Sequence, residues 1–196
     1  MWRLSLLILA SGFSAHGLDL RPRGLRTSDN EEVVLIESSE YHAFLSISAA
    51  PKPTLGLHHL TELDISSPDS SPNPWFLLLE SGDTAGIRRG EVKICASSGS
   101  QTDESCIGTR TGEGGIHLTS RESAATFEMR TLETSRPGEK IVQFTESEKS
   151  ESDLARRSLC VEIADNFSDF WGAKLAVSLR SSREEDAKCT FHVTFF

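Results

Sequence analysis

Short runs in which every second residue is apolar recur through the second half of this chain, and that period constrains the fold more than any other feature. Val92 and Ile94 alternate with Glu91 and Lys93, Ile116 and Leu118 with His117 and Thr119, and Phe127 and Met129 with Glu128 and Arg130. The same beat continues through Val142 and Phe144, through Leu159, Val161 and Ile163, and through Leu175, Val177 and Leu179. It closes with Cys189, Phe191, Val193 and Phe195. Successive side chains of an extended backbone point to opposite faces, so these are half-buried strands.

Earlier in the chain the signals are longer. Residues 33–36 are all apolar, and in 41–49 Tyr41, Ala43, Leu45, Ile47 and Ala49 fall on one face. Residues 55–65 read as a further extended segment, and 66–74, rich in Ser, Pro, Asn and Asp, as a loop. Residues 75–79 are a continuous apolar run, as expected of a central strand covered on both faces. Only 154–159 offers a weak helical pattern, and no stretch repeats elsewhere in the sequence. The expected fold is all-β: a disulfide-linked antiparallel β-sandwich, with a closed β-barrel as the alternative.

The N-terminus places Arg3 before an apolar run from Leu4 to Ala10, with Ala15 and Gly17 at the −3 and −1 positions of a cleavage site. That is the pattern of a secretory signal peptide over residues 1–17. The run is too short to span a bilayer, and no later segment reaches the necessary length. Residues 18–30 read as a mobile leader or short propeptide, and 31–196 as a single β domain. The chain is therefore expected to be extracellular or in a secretory lumen. Its formal charge of −9 disfavours nucleic acid and anionic membranes as partners.

In an oxidising compartment an even cysteine count implies disulfides. Cys95, Cys106, Cys160 and Cys189 allow three connectivities; the expected one closes a local loop with Cys95–Cys106 and joins two C-terminal strands with Cys160–Cys189. Each such link is worth about 2–4 kcal/mol. The spacing lacks the close pairs of a zinc site, and His58 and His59, being adjacent, point to opposite faces of a strand. No metal or cofactor is expected. The Asp83-Thr84-Ala85-Gly86 stretch departs from the Asp-Thr-Gly of aspartic proteases by an inserted alanine, and no nucleophile elbow is present. Gly112, Gly114 and Gly115 belong to a hairpin turn rather than a phosphate loop.

Four short features point outward. Arg23 and Arg26 carry the minimal spacing of a furin-like processing site, and Arg23-Gly24-Leu25-Arg26 also resembles the R-x-L-R host-targeting motif of oomycete effectors. Arg156 and Arg157 form a dibasic pair at the end of a polar loop spanning 145–158. Asn166-Phe167-Ser168 is a glycosylation sequon. Phe167, Phe170 and Trp171 beside it are either a hydrophobic plug or an aromatic binding patch. The closing Lys188-Cys189-Thr190-Phe191-His192-Val193-Thr194-Phe195 is similar to the last strand of apicomplexan surface-antigen domains. Those domains typically carry six cysteines where this chain has four, so no family is assigned.

Without a catalytic, metal or phosphate signature, the expected function is extracellular recognition. A non-enzymatic, adhesin- or effector-like protein would bind a protein or glycan through loops or a sheet face. The alternatives are a secreted inhibitor or small-ligand carrier, and a hydrolase whose active site is assembled from distant residues.

Overall fold

Every segment with a period-two pattern forms a strand. The computed structural model describes residues 31–48, 53–66, 72–80, 90–96, 105–110, 115–147, 156–163, 175–181 and 186–196. The strands are β1 (Glu31–Ser38), β2 (Phe44–Ser48), β3 (Thr54–His58), β4 (Phe76–Glu80), β5 (Glu91–Ala96), β6 (Cys106–Thr109), β7 (Ile116–Thr119), β8 (Phe127–Arg136), β9 (Glu139–Glu146), β10 (Arg157–Ile163), β11 (Leu175–Ser181) and β12 (Phe191–Phe195). Single 3-10 turns at Leu60–Glu62 and Ala187–Cys189 precede β4 and β12.

Six strands close on themselves. β1 pairs with β4, β4 with β5, β5 with β8, β8 with β9, β9 with β12, and β12 with β1, all antiparallel. The other six form three hairpins, β2–β3, β6–β7 and β10–β11. Each hairpin joins the barrel through one rung, to β1, β5 or β9. The outer strands β3, β7 and β11 touch one another and so cap one end of the barrel. This is the strand pairing of a β-trefoil, and the closed barrel is one of the two architectures expected from the sequence.

The threefold relation holds residue by residue. Val34 faces Phe76 between β1 and β4, Val92 faces Phe127 between β5 and β8, and Val142 faces Phe191 between β9 and β12. Three residues after each valine comes the hairpin stem: Glu37 opposite Phe44, Cys95 opposite Cys106, Thr145 opposite Ser158. Within the hairpins Leu45 faces Leu57, Ile107 faces Leu118 and Leu159 faces Leu179. Three lobes, β1–β4, β5–β8 and β9–β12, therefore repeat one geometry.

Alternation fills the lumen. Val34, Ile36, Phe76, Leu78, Val92, Ile94, Phe127, Val142, Phe144, Phe191 and Val193 are buried there, with Met129 packed against them. The hairpins add Leu45, Ile47, Ile107, Leu159, Val161 and Leu179 to the same cluster. A barrel of few strands has room for little else.

A second cluster lies outside the barrel and explains the unbroken apolar run at 75–79. Phe76 and Leu78 face the lumen, whereas Trp75, Leu77 and Leu79 join Val33, Leu35, Phe44, Cys95, Cys106 and Ala124 on the outer face. Leu60, Leu63 and Ile65 roof this cluster, together with Phe196, whose ring meets Trp75 edge-on at 5.1 Å.

Three expectations are adjusted. The strand expected over 41–49 begins at Phe44, because Tyr41 lies in a turn and His42 takes a left-handed φ of 52° that ends extended backbone. The extended reading of 55–65 holds only to His58, after which the chain enters the first 3-10 turn. The weak helical pattern near Leu159 gives way to β10, whose alternating Leu159 and Val161 are buried in the main cluster.

Candidate functional site

The cysteines pair as Cys95–Cys106 and Cys160–Cys189, and no free cysteine remains among the described residues. Two disulfides indicate an oxidising, extracellular-type environment. Cys95 and Cys106 are the stem rung of the second hairpin, and the bond from Ala96 N–H to the Ser105 carbonyl, 2.8 Å, closes the next rung. Cys189 lies in the 3-10 turn just ahead of β12, so its link to Cys160 ties that entry segment back onto β10. The other lobes make the equivalent tie by backbone. Ile47 and Asn73 exchange two hydrogen bonds at 2.9 and 2.8 Å in the first, and Ala125 N–H donates to the Ile107 carbonyl at 3.0 Å in the second.

The other sequence candidates are not brought together. Arg23, Arg26, Asn166, Phe167, Phe170 and Trp171 all lie outside the described residues. The last four fall in the connection between β10, which ends at Ile163, and β11, which begins at Leu175. Arg156 and Arg157, expected to sit together on a loop, have separate roles. Arg156 makes an exposed ion pair with Glu128 at 2.6 Å, while Arg157 is already part of β10.

Arg157 belongs to a polar cluster that the sequence reading missed. Its Nε and Nη2 donate to Glu146 Oε2 at 3.0 and 2.8 Å, and Thr109 Oγ1 donates to Glu146 Oε1 at 2.6 Å. The Arg157 and Glu146 side chains are only 12% and 9% exposed. Glu146 follows Val142 and Phe144 on the lumen side of β9 and stands opposite Phe127. The only sequence signal was the inner position of Glu146 in that alternation; a charged residue there reads as the end of a strand. With both oxygens occupied by donors, the carboxylate is held as a structural anion rather than presented as a general base.

Ser46 and His58 are the pair nearest to a nucleophile and base, with Ser46 Oγ and His58 Nδ1 2.6 Å apart. Ser46 is fully buried, however, so the pair satisfies a core hydroxyl and offers no access to a substrate. In the second lobe Gly108 leaves room for the His117 ring, since a β-carbon there would stand 2.9 Å from His117 Nε2. Among the described residues no group of His, Cys, Asp and Glu could hold a metal ion, and no helix is long and apolar enough to cross a membrane. No protein-family model matches the chain, and no curated protein matches it.

Proposed function

We propose that this chain is a secreted, non-enzymatic recognition protein that binds an extracellular or cell-surface protein or glycan. The observation that carries the reading is the filled lumen. Every strand of the barrel contributes side chains to one continuous apolar cluster, so a ligand is met from outside, by loops or an outer sheet face. A frame tied by two disulfides and closed without free barrel edges suits that role. Secretion rests on the N-terminal signal pattern and agrees with the disulfides. A filled barrel weighs against a small-ligand carrier, and the burial of Ser46 weighs against hydrolysis by the Ser46–His58 pair.

One observation favours a second form of the reading, a secreted inhibitor. The disulfide and the Ala96–Ser105 hydrogen bond fasten both ends of the β5–β6 connection, as an inhibitory loop requires.

The test is binding of the oxidised chain, from residue 18 onward, to an array of cell-surface glycans, to labelled surface proteins and to a panel of secreted proteases. Saturable binding to one of these classes is expected, weakened by Phe170→Ala or Trp171→Ala if the aromatic stretch makes contact. Failure to bind any class, alongside measurable ester or peptide hydrolysis, would overturn the proposal.

A further inference from the structure

Four buried side-chain polar atoms lack a hydrogen-bond partner among the described residues, and three of them stand at the junctions between lobes. They are the hydroxyls of Ser39 and Ser147 and the indole nitrogen of Trp75. A junction is the place where the first strand of one lobe parts from the last strand of the lobe before it. β1 runs along β12 as far as the Ser38–Phe191 rung, and β9 along β8 as far as the Glu146–Phe127 rung. One further bond closes each ladder. Ser39 N–H donates to the Thr190 carbonyl at 3.0 Å, and Ser147 N–H to the Thr126 carbonyl at 2.9 Å. Beyond that bond the chain bends away from the barrel toward its hairpin. At the third junction β5 runs along β4 as far as the Ala96–Phe76 rung. Ser97 follows at the offset of Ser39 and Ser147 and lies outside the described residues, while Trp75 takes the place of Thr126 and Thr190.

We propose that the Ser39 and Ser147 hydroxyls each hold one buried water molecule, which bridges two neighbouring lobes at the point where their shared ladder ends. Buried polar groups are almost always paired, because an unpaired one keeps the full cost of its desolvation. Neither hydroxyl reaches a protein group, so the partner comes from outside the chain. A buried water needs at least two polar contacts, and each junction offers them. One is the serine hydroxyl. The other is the carbonyl that receives the serine N–H, which keeps a second lone pair. The threefold relation strengthens the argument, since unrelated packing would not leave the same atom unpaired in two lobes. Serine at all three offsets fits as well: the residues just before, Ser38, Ala96 and Glu146, share no type. At the third junction the buried Trp75 indole N–H is the corresponding donor.

The test joins a high-resolution crystal structure of the oxidised chain, from residue 18 onward, to urea unfolding of Ser39→Ala and Ser147→Ala. The crystal should show one water within hydrogen-bond distance of Ser39 Oγ and the Thr190 carbonyl oxygen, and one between Ser147 Oγ and the Thr126 carbonyl oxygen. Unfolding supplies a test of sign in solution. A hydroxyl bonded to water contributes to stability, so each substitution should lower the folding equilibrium constant by roughly fivefold. An unpartnered hydroxyl predicts the opposite, because alanine would then remove a buried polar group that nothing satisfies. A constant that rises or stays unchanged would overturn the proposal. So would a crystal structure in which either hydroxyl bonds to a protein group, or to nothing.

Discussion

In the first lobe the chain returns from hairpin to barrel over the seventeen residues 59–75; in the third it returns over the nine residues 182–190. The first route runs from His58 to Phe76, turns at Leu60–Glu62, lays Leu60, Leu63 and Ile65 over the outer face of the barrel, and meets β2 through the Ile47–Asn73 bridge. The third leaves β11 at Ser181, makes its 3-10 turn at Ala187–Cys189, and is fastened by the Cys160–Cys189 disulfide. A long return can bury a second apolar cluster and hold itself by that burial. A shorter one has less surface to bury: in the third lobe a covalent link holds it, and in the second, over 120–126, the backbone bond from Ala125 to Ile107 does. The lobes agree in the lumen, where packing demands it, and differ outside it.

The largest expected effect tests the agreement. Phe76, Phe127 and Phe191 occupy one position of the threefold pattern and are all fully buried. Each truncation to alanine should cost about 3–5 kcal/mol in urea unfolding, with the three values close together. If Phe76→Ala proves much milder than Phe191→Ala, the outer cluster of the first lobe is compensating, and the lobes are not equivalent even inside.

Removal of each disulfide tests the difference. The Cys160–Cys189 link closes a separation of 29 residues and Cys95–Cys106 one of 11. Chain entropy alone predicts losses of about 3.5 and about 3 kcal/mol for the Cys→Ser pairs. If the first is the sole anchor of a short return, its loss should exceed that figure and raise amide exchange at Thr190 and Phe191. Equal losses with no local change in exchange would make the two links interchangeable.

That internal agreement was hidden in the sequence for physical reasons. The alternating pattern exposed the strands from Val92 onward except β6, because those strands have a wet face or a polar neighbour to mark the period. With Gly108 and Thr109 after Cys106 and Ile107, β6 is four residues long and too short to show one. In β4 the outer cluster makes Leu77 and Leu79 as apolar as Phe76 and Leu78, which erases the beat that Phe127 and Phe191 keep. Loops of unequal length then shift the spacing between Val34, Val92 and Val142, so no fixed period survives. The stems share no residue type at all: Glu37 with Phe44, two cysteines, Thr145 with Ser158. Cysteine pairing was legible from count and spacing. The Glu146–Arg157 pair was not, since burial of a charge depends on a partner that only the threefold geometry brings near.

The roof of the first lobe gives a smaller effect. Phe196 caps the outer cluster through its edge-on contact with Trp75, and its N–H donates to the Val33 carbonyl at 3.1 Å. Phe196→Ala should cost about 1–2 kcal/mol, from the aromatic pair and part of its burial. Trp75 fluorescence should shift to the red as water reaches the ring. An unchanged spectrum would mean that Leu60, Leu63 and Ile65 roof the cluster without it.

The smallest effect lies at the end of that roof, where local hydrogen bonds take the place of a crosslink. The Ser66 hydroxyl donates to Asp64 Oδ1 at 2.5 Å and the Ser66 N–H to the same atom at 3.0 Å, and these bonds hold the Asp64 carboxyl below its usual range. A depressed folded value means that the contribution is present above the unfolded value, about 3.9, and disappears as the pH falls through the folded one. Asp64 is fully exposed, so water screens the effect and the return segment should loosen locally, without global unfolding. An NMR titration of the Asp64 carboxyl should give a midpoint below the ordinary aspartate value. Ser66→Ala should raise it only part of the way, since the backbone N–H remains. A midpoint that the substitution leaves unmoved would show that the hydroxyl bond is not formed in solution. The Ile47–Asn73 bridge would then carry the return of the first lobe, as the disulfide carries that of the third.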